Sequence, residues 1–345
     1  MPNFDFARYA VESLRAENFT LVDLGCAGGI NPVWRIFGSR LRALAIDASV
    51  GECRRLAEAE ELKGIEYVGA FAGIAPDHPF VVRRGIEEVP SRNPWPRLSA
   101  AHTVRRREAK LREATDQEKL RQSSWWLTET ADASRPVVVP DMLSQRGMDN
   151  VDFLKIDTDG NDFAILNSFD ECFDKFGILG ACLEVNFCGP PDDTYQTFHN
   201  TDRFMKAQGF ELFDLSLRRY SAAALPAPYE LDIPAQTVSG RILQGDAIYI
   251  RDWAGADWSE VAARASVEKL IKLAAIFSLM GLPDCAAEIL TAFRARFSGW
   301  LAVDRALDLL SAQIQPSSQS PLSYKAYLAA FQSDSPDFYP KPNKG

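Results

Sequence analysis

The 345-residue sequence has no long apolar run, no closely spaced pair of cysteines and no excess of basic residues. Its longest apolar patch, around Leu273–Leu282, is interrupted by Ser278 and followed by Pro283, so we expect no membrane-spanning helix. The first residues include an acid and no long apolar stretch, which argues against a secretory signal. These absences predict a protein of the cytoplasm that does not insert into a membrane.

Cysteine usage and charge narrow the class of protein further. Six cysteines are scattered along the chain without CxxC spacing, and we interpret them as reduced thiols. Acidic residues (47) outnumber basic residues (38), and the formal net charge is −9. Because an acidic chain repels phosphate, this balance argues against a general nucleic-acid binder. Apolar residues at 46% and charged residues at 25% exclude a disordered or collagen-like chain.

Short apolar runs alternate with amphipathic stretches along most of the first 250 residues. This alternation is typical of βαβ units and predicts an α/β fold with a parallel sheet of about seven strands. We expect strands over 19–24, 41–47, 65–71, 137–139, 151–157, 180–187, 210–215 and 247–251, with helices over 32–37, 51–61, 141–145, 163–173 and 201–208.

Three regions depart from this alternation. Residues 76–135 contain several prolines, a mixed-charge stretch and Trp125–Trp126, and we interpret them as an insert whose charged stretch is an exposed face, with a lid or substrate-binding face as the alternative. From Ser259 to Leu310, apolar residues recur at helical spacing and predict three helices. The last residues are rich in Pro and Ser. We therefore predict a sheet domain over 1–253, a helical module over 254–315 and a partly ordered tail over 316–345.

The sharpest local motif is a glycine loop after the first predicted strand, in Leu21–Gly29 (Leu-Val-Asp-Leu-Gly-Cys-Ala-Gly-Gly). Glycines here permit a tight turn and close approach of a ligand. A dinucleotide-binding loop reads G-x-G-x-x-G, but Ala27 stands where its second glycine belongs. The carboxylate of Asp23 would repel a pyrophosphate and would suit a positively charged ligand, such as the ammonium and sulfonium of S-adenosylmethionine.

Asp47 ends the second predicted strand and lies 22 residues after Gly25. An acid at this spacing can accept hydrogen bonds from both ribose hydroxyls of an adenosine group. The spacing is common to enzymes that use NAD and to enzymes that use S-adenosylmethionine, so it does not distinguish them. The alternative interpretation of Asp47 is a helix N-cap.

Several segments together resemble a known family. Residues 22–29 are similar to the first motif of class I S-adenosylmethionine-dependent methyltransferases. Val137–Leu143 and Val151–Leu166 resemble the FkbM family in particular, with Asp159 and Asp162 where that family usually has Glu. Later matches lie at 182–186, 209–215 and 245–249. The resemblance covers about residues 19–251, with 76–135 matching poorly and the tail outside it.

The resemblance implies a Rossmann-like, seven-stranded, mostly parallel sheet flanked by helices, with the helical module as an addition. It implies methyl transfer from S-adenosylmethionine to an oxygen of a sugar, polyketide or lipid-linked glycan. The cofactor would contact the glycine loop through its methionine part, Asp47 through its ribose and Ala70–Phe71 through its adenine. The implied cofactor-binding residues are Asp23, Gly25, Cys26, Ala27, Gly29, Asp47, Ala48, Ala70 and Phe71.

Two residues are candidates for the proton acceptor of a hydroxyl substrate. Strand alternation puts Lys155 and Asp157 on one side, with Asp157 at the carboxyl end near the transferring methyl. His199 is the second candidate, in a loop before a predicted helix, where a capping or surface role is the alternative. Methyl transfer is an in-line displacement, so positioning supplies much of the rate.

Other interpretations stay open at this point. One cluster of acids could bind Mg²⁺: Asp157, Asp159, Asp162 and Glu184. We favour the alternative that these acids stand at strand and helix ends without a bound metal. Arg218 and Arg219, in a predicted loop, could hold an anionic or glycan acceptor or be exposed charges.

Rival functions are a glycosyltransferase with Asp157 and Asp159 as a DxD pair, an NAD-dependent oxidoreductase, and a non-catalytic binding module. We predict a cytoplasmic O-methyltransferase of the FkbM type, which uses S-adenosylmethionine and acts on a small-molecule or glycan acceptor, without a nucleic-acid partner. The acceptor and the oligomeric state stay undetermined.

Overall fold

The computed structural model describes residues 2–84, 131–132, 135–158, 161–189, 192–220, 241–255, 259–314 and 322–333. The chain forms two compact units. The sheet unit comprises residues 20–30 and 42–251, and the helical unit comprises residues 1–19, 31–41 and 252–345. The predicted division at residues 253 and 315 stays a prediction.

The sheet unit is built on a seven-stranded sheet of order β3-β2-β1-β6-β7-β9-β8, with β4 and β5 in a separate two-stranded sheet. The described strands are β1 (Phe19–Leu24), β2 (Leu41–Asp47), β3 (Ile65–Gly69), β4 (Ala72–Gly73), β5 (Val137–Val138), β6 (Phe153–Ile156), β7 (Gly180–Asn186), β8 (Glu211–Tyr220) and β9 (Arg241–Ile250).

The central strands run parallel, and one edge of the sheet is antiparallel. β1 pairs with β6, β2 with β3, and β6 with β7 in parallel register, whereas β9 is antiparallel to β7 and β8. Every residue of β1 is buried, as expected for a strand covered on both faces. The predicted α/β, Rossmann-like fold is therefore confirmed. Its strand order reverses between β1 and β6, which is where ligands bind in open α/β sheets.

Helices of both units follow the apolar spacing of the sequence. The described α-helices are α1 (Phe4–Glu12), α2 (Val50–Ala59), α3 (Pro79–Arg84), α4 (Val139–Gln145), α5 (Asp162–Asn167), α6 (Phe198–Ala207), α7 (Ser259–Arg264), α8 (Val267–Leu279), α9 (Pro283–Ala292), α10 (Val303–Ile314) and α11 (Tyr324–Ser333). Two 3₁₀ segments, Pro32–Arg40 and Arg294–Phe297, complete the described set. None of the described helices has the length and apolar character needed to cross a bilayer.

Several predicted elements differ from the structure. The predicted strand 137–139 is only a two-residue pairing with β4, since Pro136 and Pro140 limit its backbone donors. The predicted helix 163–173 ends at Asn167 and continues as turns, although the buried Phe169 and Phe173 keep helical spacing. The predicted three-helix segment contains four α-helices, because Ser266 caps a new helix after α7. The sequence did not predict α11.

The helical unit joins the start of the chain to its last third. Nζ of Lys272, a fully buried residue of α8, lies 2.8 Å from Oε2 of Glu17. Oε1 of Glu268 accepts hydrogen bonds from the backbone N–H groups of Arg15, Ala16 and Glu17 at 2.6, 2.9 and 3.1 Å. Burial opposes ionisation of Glu268, but these N–H groups outweigh it and hold its pKa below the usual value. The carboxylate thus closes the turn that leads into β1.

We expect Glu268→Ala to lower the free energy of unfolding by about 3 kcal/mol, since it leaves three N–H groups without their charged acceptor. Glu268→Gln keeps an oxygen acceptor without the charge and should lose about 1 kcal/mol. Urea denaturation followed by circular dichroism measures both. Losses close to zero in both variants would show that the hydrogen bonds do not stabilise the unit.

The glycine loop approaches the end of β6 very closely. Gly25 has a φ of 82°, and a Cβ atom on it would lie 1.7 Å from the carbonyl oxygen of Asp157. The N–H of Gly25 donates to Ile46 O at 2.8 Å, and the N–H of Asp157 donates to Leu24 O at 3.0 Å. The carboxyl ends of β1, β2 and β6 are therefore held together at a position where only glycine fits.

Gly25→Ala should lower the free energy of unfolding by about 3 kcal/mol or more, because its Cβ meets backbone in addition to the positive φ. Gly28→Ala is the matched control, since Gly28 also has a φ of 82° but open space around its Cβ position. We expect it to cost about 1 kcal/mol. Chemical denaturation measures the difference, and similar losses would contradict the close approach.

Candidate active site

An ion group lies at the point where the strand order reverses. Asp23 of β1 and Lys155 of β6 are register partners, and Nζ of Lys155 lies 3.3 Å from Oδ1 of Asp23. The same ammonium lies 3.5 Å from Oδ2 of Asp157 and donates to Gly25 O at 2.8 Å. We call Asp23, Lys155 and Asp157 the Lys155 ion group. It joins β1, β6 and the glycine loop.

Burial and charge set the protonation of this group. Burial raises the pKa of Asp23 to about 6, although the Lys155 ammonium opposes the rise. Burial alone would lower the pKa of Lys155, but Asp23 and Asp157 outweigh it and raise that pKa. Oδ1 of Asp23 accepts no hydrogen bond of good geometry from the described residues. A buried carboxylate oxygen of this kind can accept from a cationic ligand.

The N–H groups of the glycine loop are largely occupied from within the protein. Those of Gly25 and Cys26 donate to Ile46 O, and that of Gly29 donates to Cys26 O. The N–H of Gly28 donates to Oε1 of Glu52 at 3.1 Å. A carboxylate therefore takes the place that a phosphate takes in dinucleotide-binding loops. This arrangement disfavours a pyrophosphate ligand.

Glu52 is a residue of the site that the sequence analysis missed. It is buried on α2, and Arg55 donates to both of its oxygens at 2.6 and 2.7 Å. The hydrogen bonds from Arg55 lower the pKa of Glu52 in spite of its burial. The available signal was the pair Ser49 and Glu52 at the start of α2, because Ser49 Oγ accepts from the Glu52 N–H as in a capping box.

The other predicted loop residues differ in exposure. Ala27 is exposed and Gly29 is half-buried. Cys26 is buried against Cys53, and the hydrogen bond with Cys53 together with burial raises the pKa of the Cys26 thiol. Its side chain thus packs inside the protein.

The predicted ribose and adenine residues meet at the ends of β2 and β3. Asp47 Oδ1 accepts from the Ser49 N–H at 2.8 Å, and the N-cap of α2 is Ser49 and not Asp47. Its carboxylate has a second oxygen for a ribose hydroxyl. The N–H of Ala70 donates to Asp47 O at 2.9 Å, and Phe71 O accepts from Val137 at 2.8 Å. Ala48 is also half-buried here.

A second ion group lies across β7, β8 and β9. Glu184 and Asp246 are register partners, and Arg218 lies 3.3 Å from Oε1 of Glu184 and 2.6 Å from Oδ2 of Asp246. Burial raises the pKa of Asp246, with Arg218 opposing the rise. Arg218 was predicted in a loop, but it lies in β8, because alternation of apolar and polar residues continues past Leu215 and Leu217.

His199 and Asp162 are placed differently from the ion groups. His199 is exposed on α6, and its Nε2 lies 3.4 Å from Thr197 Oγ1. Asp162 accepts from the Thr158 N–H at 2.6 Å and from Gln196 Nε2 at 2.9 Å, so it orders the loop after β6.

Some predicted features lie outside the described residues: Asp159 of the DxD pair, the stretch 105–121 and Trp125–Trp126. Within the described residues, no group of three His, Cys, Asp or Glu side chains is arranged to hold a metal.

Several solved structures are similar to this chain at low sequence identity. A SAM-dependent methyltransferase from Aquifex aeolicus is 12% identical, with 71% of this chain and 90% of that chain covered and a TM-score of 0.28. One from Agrobacterium tumefaciens is 12% identical, with 71% and 59% covered and a TM-score of 0.32. A Streptococcus pneumoniae protein provisionally described as a tRNA methyltransferase is 11% identical, with 82% and 96% covered and a TM-score of 0.28. No curated protein matches the chain.

A family model described as the methyltransferase FkbM domain matches residues 101–212. The segment begins inside the stretch that the sequence analysis considered a poor match. It contains Lys155, Asp157 and Glu184, whereas the glycine loop and Asp47 precede it. The predicted resemblance to FkbM methyltransferases is therefore confirmed for residues 101–212 of this chain.

Proposed function

We propose that this protein is an S-adenosylmethionine-dependent methyltransferase that methylates a hydroxyl oxygen of a sugar, glycan or related metabolite. The observation that carries the proposal is the Lys155 ion group at the reversal of strand order. Its two carboxylates exceed its one ammonium, so the group has a surplus negative charge when ionised. A cationic cofactor neutralises that charge, whereas a pyrophosphate increases the repulsion.

The residues around the reversal fit such a cofactor. The carboxylate of Asp23, whose Oδ1 lies 3.3 Å from Nζ of Lys155, would pair with the ammonium of its methionine part. Gly28 has open space above its backbone, and Asp47 is suited to the ribose hydroxyls. When bound, S-adenosylmethionine supplies an electrophilic methyl group. Cys26, Ala48, Ala70 and Phe71 complete the proposed cofactor site.

The acceptor side of the proposed site begins at Asp157. Its side chain is 35% exposed and adjoins the Lys155 ammonium, so it can contact a ligand and is held in place. In the proposed reaction the main work of the protein is to align the hydroxyl with the methyl group. Asp157 is the proton acceptor that the sequence predicts. His199 stays the alternative, and its exposed position on α6 makes it the weaker candidate.

Calorimetric titration with S-adenosylhomocysteine tests the cofactor site. We expect micromolar binding to the wild type and at least tenfold weaker binding to Asp47→Ala, about 1.4 kcal/mol for a lost pair of ribose contacts. Glu66→Ala is the control, since Glu66 is an exposed acid on the neighbouring β3. No binding to the wild type, together with thermal stabilisation by a UDP-sugar and Mn²⁺, would replace the proposal with the glycosyltransferase.

Cofactor binding should depend on pH through Asp23. Below a pKa of about 6 the carboxyl is neutral in the free protein and must release its proton before it can pair with an ammonium. Affinity for S-adenosylhomocysteine should therefore rise about tenfold from pH 5 to pH 7 and then level off. Asp23→Asn should bind more weakly at pH 7 with a flat profile. Titration at pH 5, 6 and 7 measures this, and a flat wild-type profile would contradict the pairing.

A further inference from the structure

Three carboxylates lie side by side on one face of the sheet. Ile156 of β6 is the register partner of Leu183, so Asp157 and Glu184 follow one residue further along both strands. Glu184 in turn pairs with Asp246 of β9. We call Asp157, Glu184 and Asp246 the carboxylate row. The row runs from the end of β6, beside the glycine loop, toward the antiparallel edge of the sheet.

Two cationic side chains lie beside this row, and each forms ion pairs with two carboxylates. Lys155 lies between Asp23 and Asp157, and Arg218 lies between Glu184 and Asp246. These six side chains carry two negative charges in surplus when all are ionised. Partial burial makes such a surplus costly. The arrangement therefore favours uptake of positive charge, first as a cationic ligand and then as a proton.

The three carboxylates of the row differ in how far their side chains are exposed. The Glu184 side chain is only 7% exposed and is covered, whereas Asp246 is 32% exposed. Asp157 is similarly exposed but adjoins both the Lys155 ammonium and the glycine loop. Burial raises the pKa of Asp246. Arg218 lowers this pKa, and repulsion from Asp157 raises it further. Asp246 thus combines access for an acceptor with a raised affinity for a proton.

Building on the proposed function, we propose that Asp246 is the catalytic residue that takes the proton of the acceptor hydroxyl. Arg218 is then a positioning residue that holds Asp246 beside Glu184. Asp157, next to the glycine loop, is instead paired with the Lys155 ammonium. This assigns the proton to a residue of the antiparallel edge rather than to the end of β6.

The step balances without a further reactant. The acceptor oxygen forms a bond to the methyl carbon while the carbon–sulfur bond breaks, and that bond's electron pair stays on sulfur. The hydroxyl proton moves to a carboxylate oxygen of Asp246. The products are the methylated oxygen, neutral S-adenosylhomocysteine and protonated Asp246, which releases its proton to water. Asp246 is exposed enough for that release.

A binding experiment tests the placement without knowledge of the acceptor. Sinefungin carries a protonated amine where the cofactor carries its methyl-bearing sulfonium, so a carboxylate facing the methyl position strengthens its binding relative to S-adenosylhomocysteine. We expect Asp246→Asn to weaken sinefungin at least tenfold and to leave S-adenosylhomocysteine within twofold. Arg218→Gln should give a smaller loss of the same kind. Asp214→Asn removes an exposed acid of β8 and is the matched control.

The outcomes separate this inference from the proposed function. If Asp157→Asn abolishes the sinefungin preference and Asp246→Asn does not, the proton acceptor is Asp157 and the inference is wrong. If Asp246→Asn weakens both ligands equally and lowers the melting temperature, Asp246 only stabilises the sheet. If the wild type binds neither ligand, the proposed function itself fails.

Discussion

The ammonium of Lys155 connects the strands and the charges of the site. Its side chain is half-buried, and a cation in such a place is stabilised by anionic and carbonyl oxygens around it. Those oxygens come from Asp23 on β1, from Asp157 after β6 and from the carbonyl of Gly25, the residue that follows β1. They meet only if β1 and β6 are neighbours. The order of the strands and the charge of the site therefore depend on the same contact.

Much of the sheet could be predicted because its strands are simple in sequence. β1 and β2 were predicted with the bounds that the structure has, since each is mostly apolar and ends where a glycine follows, at Gly25, or where an acid stands, at Asp47. The neighbour of β1 could not be predicted from the residues alone. Asp23 and Lys155 are far apart in the chain, and no local pattern in one sequence states that their strands pair. Val137–Val138 was predicted as part of a strand and is one, but its place in a separate two-stranded sheet with β4 could not be predicted for the same reason.

The candidate site was predicted in part, and its missing members share a physical cause. Asp23, Asp47 and Asp157 stand at strand ends, where a polar residue after an apolar run is conspicuous. Glu52 lies inside a helix pattern, and its bond to Gly28 depends on how α2 packs. Arg218 looked like loop charge, because a strand position for it makes sense only beside Glu184 and Asp246. A charged residue that interrupts a local helix or strand pattern can be assigned to the site only when the fold shows which residues it contacts.

The link between Glu17 and Lys272 has a consequence for how the chain folds as it is made. The apolar face of α1, with Phe6, Ala7 and Ala10, belongs to the same unit as α8, which leaves the ribosome much later. Domains tend to fold as units during synthesis, N-terminal parts first. Until α8 is made, the part of this unit that exists beside α1 is the segment 31–41. The apolar face of α1 therefore gains the cover that α8 provides only after the sheet unit has been synthesised.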